Sequence, residues 1–175
     1  MDAHRGIVSI VSPALLLLAS AATGFIPAAS HPAPLATGEP EACTFLSAAD
    51  AAKSLEVSGT TGKRLVAASP RGCVWSNDPD ASDNSRRVVL VFHAPAAFQA
   101  AMHTVITTIK IEPASGLGDN AFYQLFPADS PMLWVLKGNT AFSLRIMTRV
   151  KTAPFSVEQE KSKEAGLAKS VLAKP

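Results

Sequence analysis

Cysteine is scarce in this sequence, which has two among its 175 residues. A zinc site or a redox-active pair usually has Cys-x-x-Cys spacing, or histidines near the cysteines. Cys43 and Cys73 stand thirty positions apart and have neither feature. The cysteines therefore argue against a metal or redox pair, and a structural disulfide is left as the other interpretation.

Complete motifs for nucleotide binding and for nucleophilic catalysis are also missing. No serine stands in a Gly-x-Ser-x-Gly context. Gly116-x-Gly118 has no third glycine, and a strand-like segment follows it where a dinucleotide fingerprint has a helix. Gly62-Lys63 lacks the earlier glycine and the following Ser or Thr of a phosphate-binding loop. We therefore predict no catalytic residues, no cofactor and no cofactor-binding residues.

Net charge is small, at +2 for pH 7. Such a value gives no strong attraction to nucleic acid or to acidic lipid. The two basic pairs, Lys63-Arg64 and Arg86-Arg87, lack interleaved aromatic residues and lie beside acidic loops. Nucleic acid is therefore not an expected partner.

Residues 1–30 have the three parts of a secretory signal peptide. A short basic region precedes residues 7–22, which are apolar and leucine-rich, and Ala28 and Ser30 suit positions −3 and −1 of a cleavage site. A membrane anchor is the alternative, but the apolar run has about 16 residues where a span needs roughly 20, and a proline interrupts it. We predict cleavage after Ser30, with an earlier site near residues 19–21 left open, and a periplasmic or secreted mature chain.

The domain boundaries follow from that cleavage site. Residues 31–41 are proline-rich without periodicity, so they are predicted to form a flexible lead-in. Residues 42–175 have the length of a single domain with its own core. The first cysteine lies some twenty residues beyond the apolar run, so we expect no lipid anchor and no stable membrane anchor after cleavage.

Export favours the disulfide interpretation of the two cysteines, because disulfides persist outside the cytoplasm. A bond between Cys43 and Cys73 would join the first predicted helix to the first hairpin of a sheet. Closing a loop of this length restricts the unfolded chain by roughly 3–4 kcal/mol in the entropic account. We predict one structural disulfide, Cys43–Cys73.

Apolar periodicity and turn residues predict three helices and six strands. The clearest helix begins at Pro95 and extends to Ile109. Its apolar stripe consists of Phe98, Ala101, Met102, Val105 and Ile109. The other predicted elements are a helix of about nine residues after a capping-box-like Ser47, strands at 64–69, 73–77, 87–93, 121–126, 132–137 and 142–146, a tight turn at 69–72, and a helix at 157–174. Short connections favour antiparallel pairing, so the predicted class is α+β, an antiparallel sheet with helices packed on it in the order α-βββα-βββα.

Two histidines and one aspartate are the polar side chains that merit consideration as sites. His93 ends a predicted strand, and His103 lies beside the apolar stripe of the second helix. No carboxylate stands at ligand spacing from either, so no metal site is predicted. Asp119 lies in a glycine-rich loop, where a side chain that bonds backbone N–H groups is more typical than a catalytic acid.

Four aromatic residues on predicted strands leave two interpretations open. They are Trp75, Phe122, Tyr123 and Trp134. In one interpretation they line a ligand groove, and in the other they belong to the core, which is the commoner role of aromatic residues on strands.

Four short motifs give the chain a resemblance to a known group. They lie at residues 42–50 (Cys-x-x-Leu), 72–75 (Cys-x-Trp), 116–122 (Gly-x-Gly-Asp-x-Ala) and 136–139 (Lys-Gly). The pattern resembles small exported bacterial envelope proteins and lipoproteins of unknown function. Members commonly have a glycine at the end of the first helix, where this chain has residues 55–56 as Leu-Glu, and many have a lipobox, which is absent here. The resemblance implies a disulfide-containing α+β domain of the cell envelope and no catalytic residues.

The sequence therefore predicts an exported, non-catalytic domain that binds a protein partner or a small ligand. An envelope hydrolase using Asp119 or His93 is the alternative. A structural or stress-related envelope factor without a small ligand is a third interpretation that the sequence does not separate from the first.

Overall fold

The structure is a computed structural model that describes residues 40–78, 80, 85–127, 131–148 and 155–174. The predicted signal peptide and residues 31–39 of the predicted lead-in lie outside these ranges. The helical elements are a 3₁₀ turn at Ala42–Thr44, α1 at Ala48–Leu55, α2 at Pro95–Met102 and α3 at Val157–Leu172. The strands are β1 Thr61–Val66, β2 Ser69–Ser76, β3 Arg86–His93, β4 Lys110–Pro113, β5 Asn120–Leu125, β6 Met132–Lys137 and β7 Thr140–Thr148.

Local side-chain hydrogen bonds determine where α1 begins and ends. The Ser47 hydroxyl accepts from the Asp50 N–H at 3.0 Å, and the Asp50 carboxylate accepts from the Ser47 N–H at 3.3 Å, which confirms the predicted capping box. At the other end Glu56 has φ of 55°, in the left-handed region that glycine favours. Its carboxylate accepts from Lys163 of α3 at 2.7 Å, so the residue that ends α1 also contacts the neighbouring helix.

Seven strands form one sheet in the order β1-β2-β3-β7-β6-β5-β4, with every neighbouring pair antiparallel. The central pair is β3–β7, whose register runs from Arg86 opposite Thr148 to His93 opposite Ala141. The α+β class with an antiparallel sheet and packed helices is therefore confirmed.

The second helix and the strand after it differ from the prediction. α2 ends at Met102, and Val105 and Ile106, which lie in the segment predicted to continue the helix, are 91% and 56% exposed. Residues 104–109 are all Thr, Val or Ile, whose β-branched side chains lose rotamer freedom in a helix. The chain instead enters β4, which pairs with β5, so the second group has four strands rather than the three expected.

The first hairpin also turns earlier than predicted. Residues 67 and 68 form the turn, and Ser69 pairs with Val66 as the first residue of β2. The Ser-Pro-Arg-Gly segment at 69–72 therefore belongs to a strand rather than to a turn. Proline is tolerated there because it lies next to the start of the strand.

Helices pack on both faces of the sheet, and the four aromatic residues belong to the core. One face packs against α1, α3 and the 3₁₀ turn, and Trp75 and Tyr123 lie in that cluster at 2% and 8% exposure. The other face packs against α2, whose Phe98 contacts Phe122 with ring centroids 5.0 Å apart, and Trp134 joins the same cluster. Of the two interpretations of these four residues, the core is the one observed.

The disulfide joins Cys43 and Cys73 as predicted. It attaches the 3₁₀ turn to β2, with the two Cα atoms 5.0 Å apart and the Cys73 side chain fully buried. The bond therefore holds the segment before α1 against the sheet.

Candidate functional site

The two candidate histidines lie at opposite ends of α2. His93 ends β3 just before this eight-residue helix, and His103 caps its C-terminus in an exposed position. A helix of that length separates them by roughly 12 Å along its axis. The structure therefore does not bring the two imidazoles together.

His93 makes a hydrogen bond with a serine that sequence spacing did not reveal. Its Nε2 lies 2.9 Å from the Oγ of Ser143, and its ring packs on Trp134 with centroids 4.6 Å apart. Burial lowers the pKa of His93, and the positive charge of Arg71 lowers it further. A neutral imidazole next to a hydroxyl is the arrangement that a serine nucleophile needs.

Two other requirements of such a nucleophile are not met in the described part of the chain. Ser143 is 7% exposed, so a substrate has little access to its hydroxyl. No carboxylate among the described residues hydrogen-bonds His93 to orient the ring. The contact joins β3 to β7 across the centre of the sheet, and a packing role accounts for it.

Asp119 has the structural role that its glycine-rich loop predicts, since its side chain bonds a backbone N–H group. Its Oδ2 accepts from the Gly138 N–H at 2.6 Å, and its own N–H donates to the Leu136 carbonyl at 2.8 Å. The first bond attaches the loop before β5 to the turn between β6 and β7, and the second attaches it to β6. The Gly-x-Gly segment before Asp119 accordingly leads into a strand, as predicted, and not into a helix.

Glu164 is a buried carboxyl that no sequence pattern singled out. It lies on α3 with no exposed surface, and its Oε1 accepts from the backbone N–H of Ile146 at 2.8 Å. The register of β6 with β7 ends at Leu133 opposite Leu144, so β7 continues beyond its neighbour. The carboxyl therefore supplies an acceptor where the strand ladder has ended.

Burial raises the pKa of Glu164 well above its ordinary value, and the nearby charge of Glu160 acts in the same direction. The N–H groups of Ile146 and Leu133 and the charge of Arg145 oppose the shift. A carboxyl of this kind suggests a catalytic acid when it faces a cleft. Glu164 faces the sheet instead, so its role here is structural.

The raised pKa of Glu164 predicts that stability decreases as pH rises. Above the ordinary glutamate pKa, near 4.3, the unfolded state releases the proton while the folded state keeps it, so the loss grows until the raised folded pKa is passed. One such group gives a slope of at most about 1.4 kcal/mol per pH unit. Below about pH 6.5 the lowered pKa of His93 acts in the opposite direction. We therefore expect Glu164→Gln to remove most of the slope between about pH 6.5 and 8, measured by urea unfolding.

The matched control is Glu158→Gln, at an 80% exposed side chain on the same helix, which should keep the slope. An unchanged pH dependence in Glu164→Gln would show that another group is responsible.

A concave pocket lies at the end of the sheet where β3 ends and β7 begins. We call it the end pocket, and its volume is about 340 Å³. Its apolar lining consists of Phe45, Phe92, Phe142, Val171 and Leu172. Ligand pockets typically have about 300–1,000 Å³, so this one suits a small molecule.

Three separate segments bring the aromatic wall of the end pocket together. Phe92 on β3 lies directly opposite Phe142 on β7, with ring centroids 5.9 Å apart. Phe45 follows the 3₁₀ turn and packs on Phe92 at 4.6 Å. Because Cys43 attaches this turn to β2, the disulfide also positions one wall of the pocket.

The rest of the end pocket is lined by two lysines, Lys137 and Lys174, and by Pro40 and Thr140. No acidic residue is among its described lining residues. The Lys174 ammonium donates to the Thr44 carbonyl, next to the aromatic wall. The pocket therefore combines an apolar interior with positive charge.

Two other cavities among the described residues offer less to a ligand. A cavity of about 350 Å³ beside α3 includes Lys161, but that ammonium already binds Glu112 at 2.6 Å and Glu158 at 3.0 Å. A cavity of about 260 Å³ lies beside His93 and the exposed Leu65. Neither has an aromatic wall of the kind found in the end pocket.

The two edge strands are poorly suited to pairing with another chain. Lys63 and Arg64 lie on β1, and β4 is four residues long with Pro113 at its end. Charges, short length and proline are devices that protect sheet edges. Recognition by strand addition is therefore disfavoured.

The fold and disulfide define this chain as a disulfide-containing α+β domain with a seven-stranded antiparallel sheet. In comparisons with known proteins, no family model, no curated protein and no solved structure matched it. No helix within the described ranges has the length and apolarity that crossing a membrane requires. No group of three or more His, Cys, Asp or Glu side chains in those ranges is placed to hold a metal ion.

The end pocket was not among the sites predicted from the sequence. Its aromatic residues come from the segment before α1 and from two strands that are far apart in the sequence. Each of them fitted an ordinary core position in its own element. No local pattern distinguishes a pocket wall from a core, so the sequence contained no usable signal.

Proposed function

We propose that this chain is an exported, non-catalytic domain that binds a small, largely apolar ligand in the end pocket. The end pocket carries the proposal, because it is concave, has an aromatic wall and has a volume suited to a small molecule. Export is supported by the signal-peptide pattern of residues 1–30 and by the disulfide. Mass spectrometry of the protein recovered outside the cytoplasm tests export. We expect the mass of residues 31–175, because cleavage after Ser30 removes 30 of the 175 residues.

The position of the disulfide supports the binding role. It holds the 3₁₀ turn that directly precedes Phe45. Phe45 is the residue of the aromatic wall that lies outside the sheet. A binding site preformed in this way avoids the entropy of ordering a loop on association. The pocket wall is thus stabilised before a ligand arrives.

An envelope hydrolase is the second proposal. The hydrogen bond between His93 and Ser143 favours it. The burial of Ser143 and the turn role of Asp119 count against it.

Filling the end pocket should abolish ligand binding. We expect Leu172→Trp to weaken the binding of octan-1-ol or benzyl alcohol by at least about tenfold, since the indole occupies the space that the probe needs. Amide shifts of Phe45, Thr140 and Val171 in ¹⁵N–¹H NMR titrations measure the affinity at the site itself.

Val157→Trp is the control, because Val157 begins the same helix and is 45% exposed, away from the pocket lining. It should leave the affinity unchanged. If small apolar probes shift no amide of the pocket in the unsubstituted protein, the proposal is wrong.

A further inference from the structure

Two lysines of α3 have carboxylate partners, and two lysines of the end pocket differ from them. Lys161 and Lys163, with side chains 14% and 18% exposed, each contact a carboxylate, Lys161 binding Glu112 at 2.6 Å and Lys163 binding Glu56 at 2.7 Å. Burial of an ammonium is costly unless an opposite charge accompanies it, and these pairs satisfy that requirement.

Lys137 and Lys174 are different. Among the described residues, no carboxylate lies within ion-pair distance of either one. Lys137 ends β6, and Lys174 follows α3, yet both line the same end pocket. The fold thus brings two exposed lysines from distant parts of the sequence to the lining of one pocket.

We propose that the ligand of the end pocket is a small amphipathic anion, a carboxylate on an aliphatic or aromatic body. This inference rests on the proposed function and specifies the chemistry of its ligand. The body would pack on the partly exposed Phe45 and Leu172, with the largely buried Phe92 and Phe142 beneath them. The carboxylate would accept hydrogen bonds from Lys137 and Lys174. A charge-assisted hydrogen bond is about twice as strong as a neutral one, so the anion should be clearly preferred over a neutral analogue.

The volume of the pocket indicates a size of ligand that it suits. About 340 Å³ corresponds to the liquid volume of roughly eleven water molecules at about 30 Å³ each. A short-chain or single-ring acid fits such a space. The pocket therefore suits a free small acid.

Three probes separate the contributions of charge and apolar body. Octanoate has both, octan-1-ol has the chain without the charge, and acetate has the charge without the chain. We expect octanoate to bind at least about tenfold more tightly than octan-1-ol and acetate, a difference of about 1.4 kcal/mol or more. The amide shifts of Phe45, Thr140 and Val171 again report binding at the pocket.

The double variant Lys137→Met, Lys174→Met keeps the long apolar stems and removes both charges. We expect it to reduce the preference for octanoate over octan-1-ol to within about twofold, with octan-1-ol binding retained. Lys137→Met alone should remove part of the preference, and it leaves the Lys174 contact with Thr44 in place. Lys169→Met, on an exposed residue of α3 outside the pocket lining, is the matched control and should keep the full preference.

Each outcome has a distinct meaning. Equal affinities for octanoate and octan-1-ol would overturn the anion inference and leave the binding function standing. Acetate binding as tightly as octanoate would show an ionic site with no use for the aromatic wall, which also overturns the inference. If none of the three probes binds, both this inference and the proposed function fail.

Discussion

Gly118→Ala is expected to lower the free energy of unfolding by about 3–4 kcal/mol, the sum of a left-handed backbone penalty and a steric clash. Gly118 has φ of 57°, and an added Cβ would lie 2.4 Å from the Leu136 carbonyl oxygen and 3.0 Å from Val135 Cγ1. That carbonyl also accepts from the Asp119 N–H, so it cannot move away without disturbing the bond. Thermal unfolding should show a melting temperature lower by roughly 10 °C.

Gly116→Ala provides the matched control two residues earlier. Gly116 also has positive φ, at 73°, but no atom lies within 4 Å of the position that an added Cβ would occupy. Only the backbone penalty of roughly 1–2 kcal/mol applies there. Equal losses at Gly116 and Gly118 would show that the close approach to β6 is unimportant.

Loss of the disulfide is expected to lower the free energy of unfolding about as much as Gly118→Ala. We expect Cys43→Ala to destabilise the oxidised protein by roughly 3–4 kcal/mol, because the unfolded chain gains the freedom that the bond had removed. Its melting temperature should fall by roughly 10 °C, and reductant should have no further effect. Binding at the end pocket should weaken as well, since Phe45 loses its attachment through Cys43 to β2.

The control for this variant is the unsubstituted protein with and without reductant. Reduction should reproduce most of the loss seen in Cys43→Ala, because it breaks the bond and keeps both sulfur atoms. The result that would contradict the assignment is a mass spectrum with two free thiols in the protein purified without reductant, or an unchanged melting temperature of Cys43→Ala.

The candidate site combines elements that are stabilised in different ways. The disulfide holds the turn before Phe45, the β3–β7 register places Phe92 opposite Phe142, and α3 adds Val171. Glu164 attaches the same helix to β7 through Ile146, away from the pocket. The pocket thus depends on contacts made throughout the domain, so destabilising variants should be compared at equal fractions folded.

Much of the fold could be predicted because its signals are local. The alternation of Phe142, Leu144 and Ile146 predicts a strand with one buried face, and all three are buried in β7. The prediction was wrong after Met102, where β-branched residues end the helix and β4 pairs with β5. The apolar residues after Met102 have helical spacing, but they have no surface to pack against. Their low helix propensity therefore decided the outcome.

The sequence by itself determined the α+β class, the capped start of α1 and the pairing of the two cysteines. The class follows from periodicity and short connections, the cap from neighbouring residues, and the pairing from a count of two cysteines with a signal-peptide pattern, so none of them needs the tertiary structure. Only the tertiary structure decided the strand order, the acceptor role of Glu164 and the convergence of Lys137 and Lys174 on an aromatic pocket. These features arise from contacts between distant segments, which local periodicity and turn chemistry do not encode.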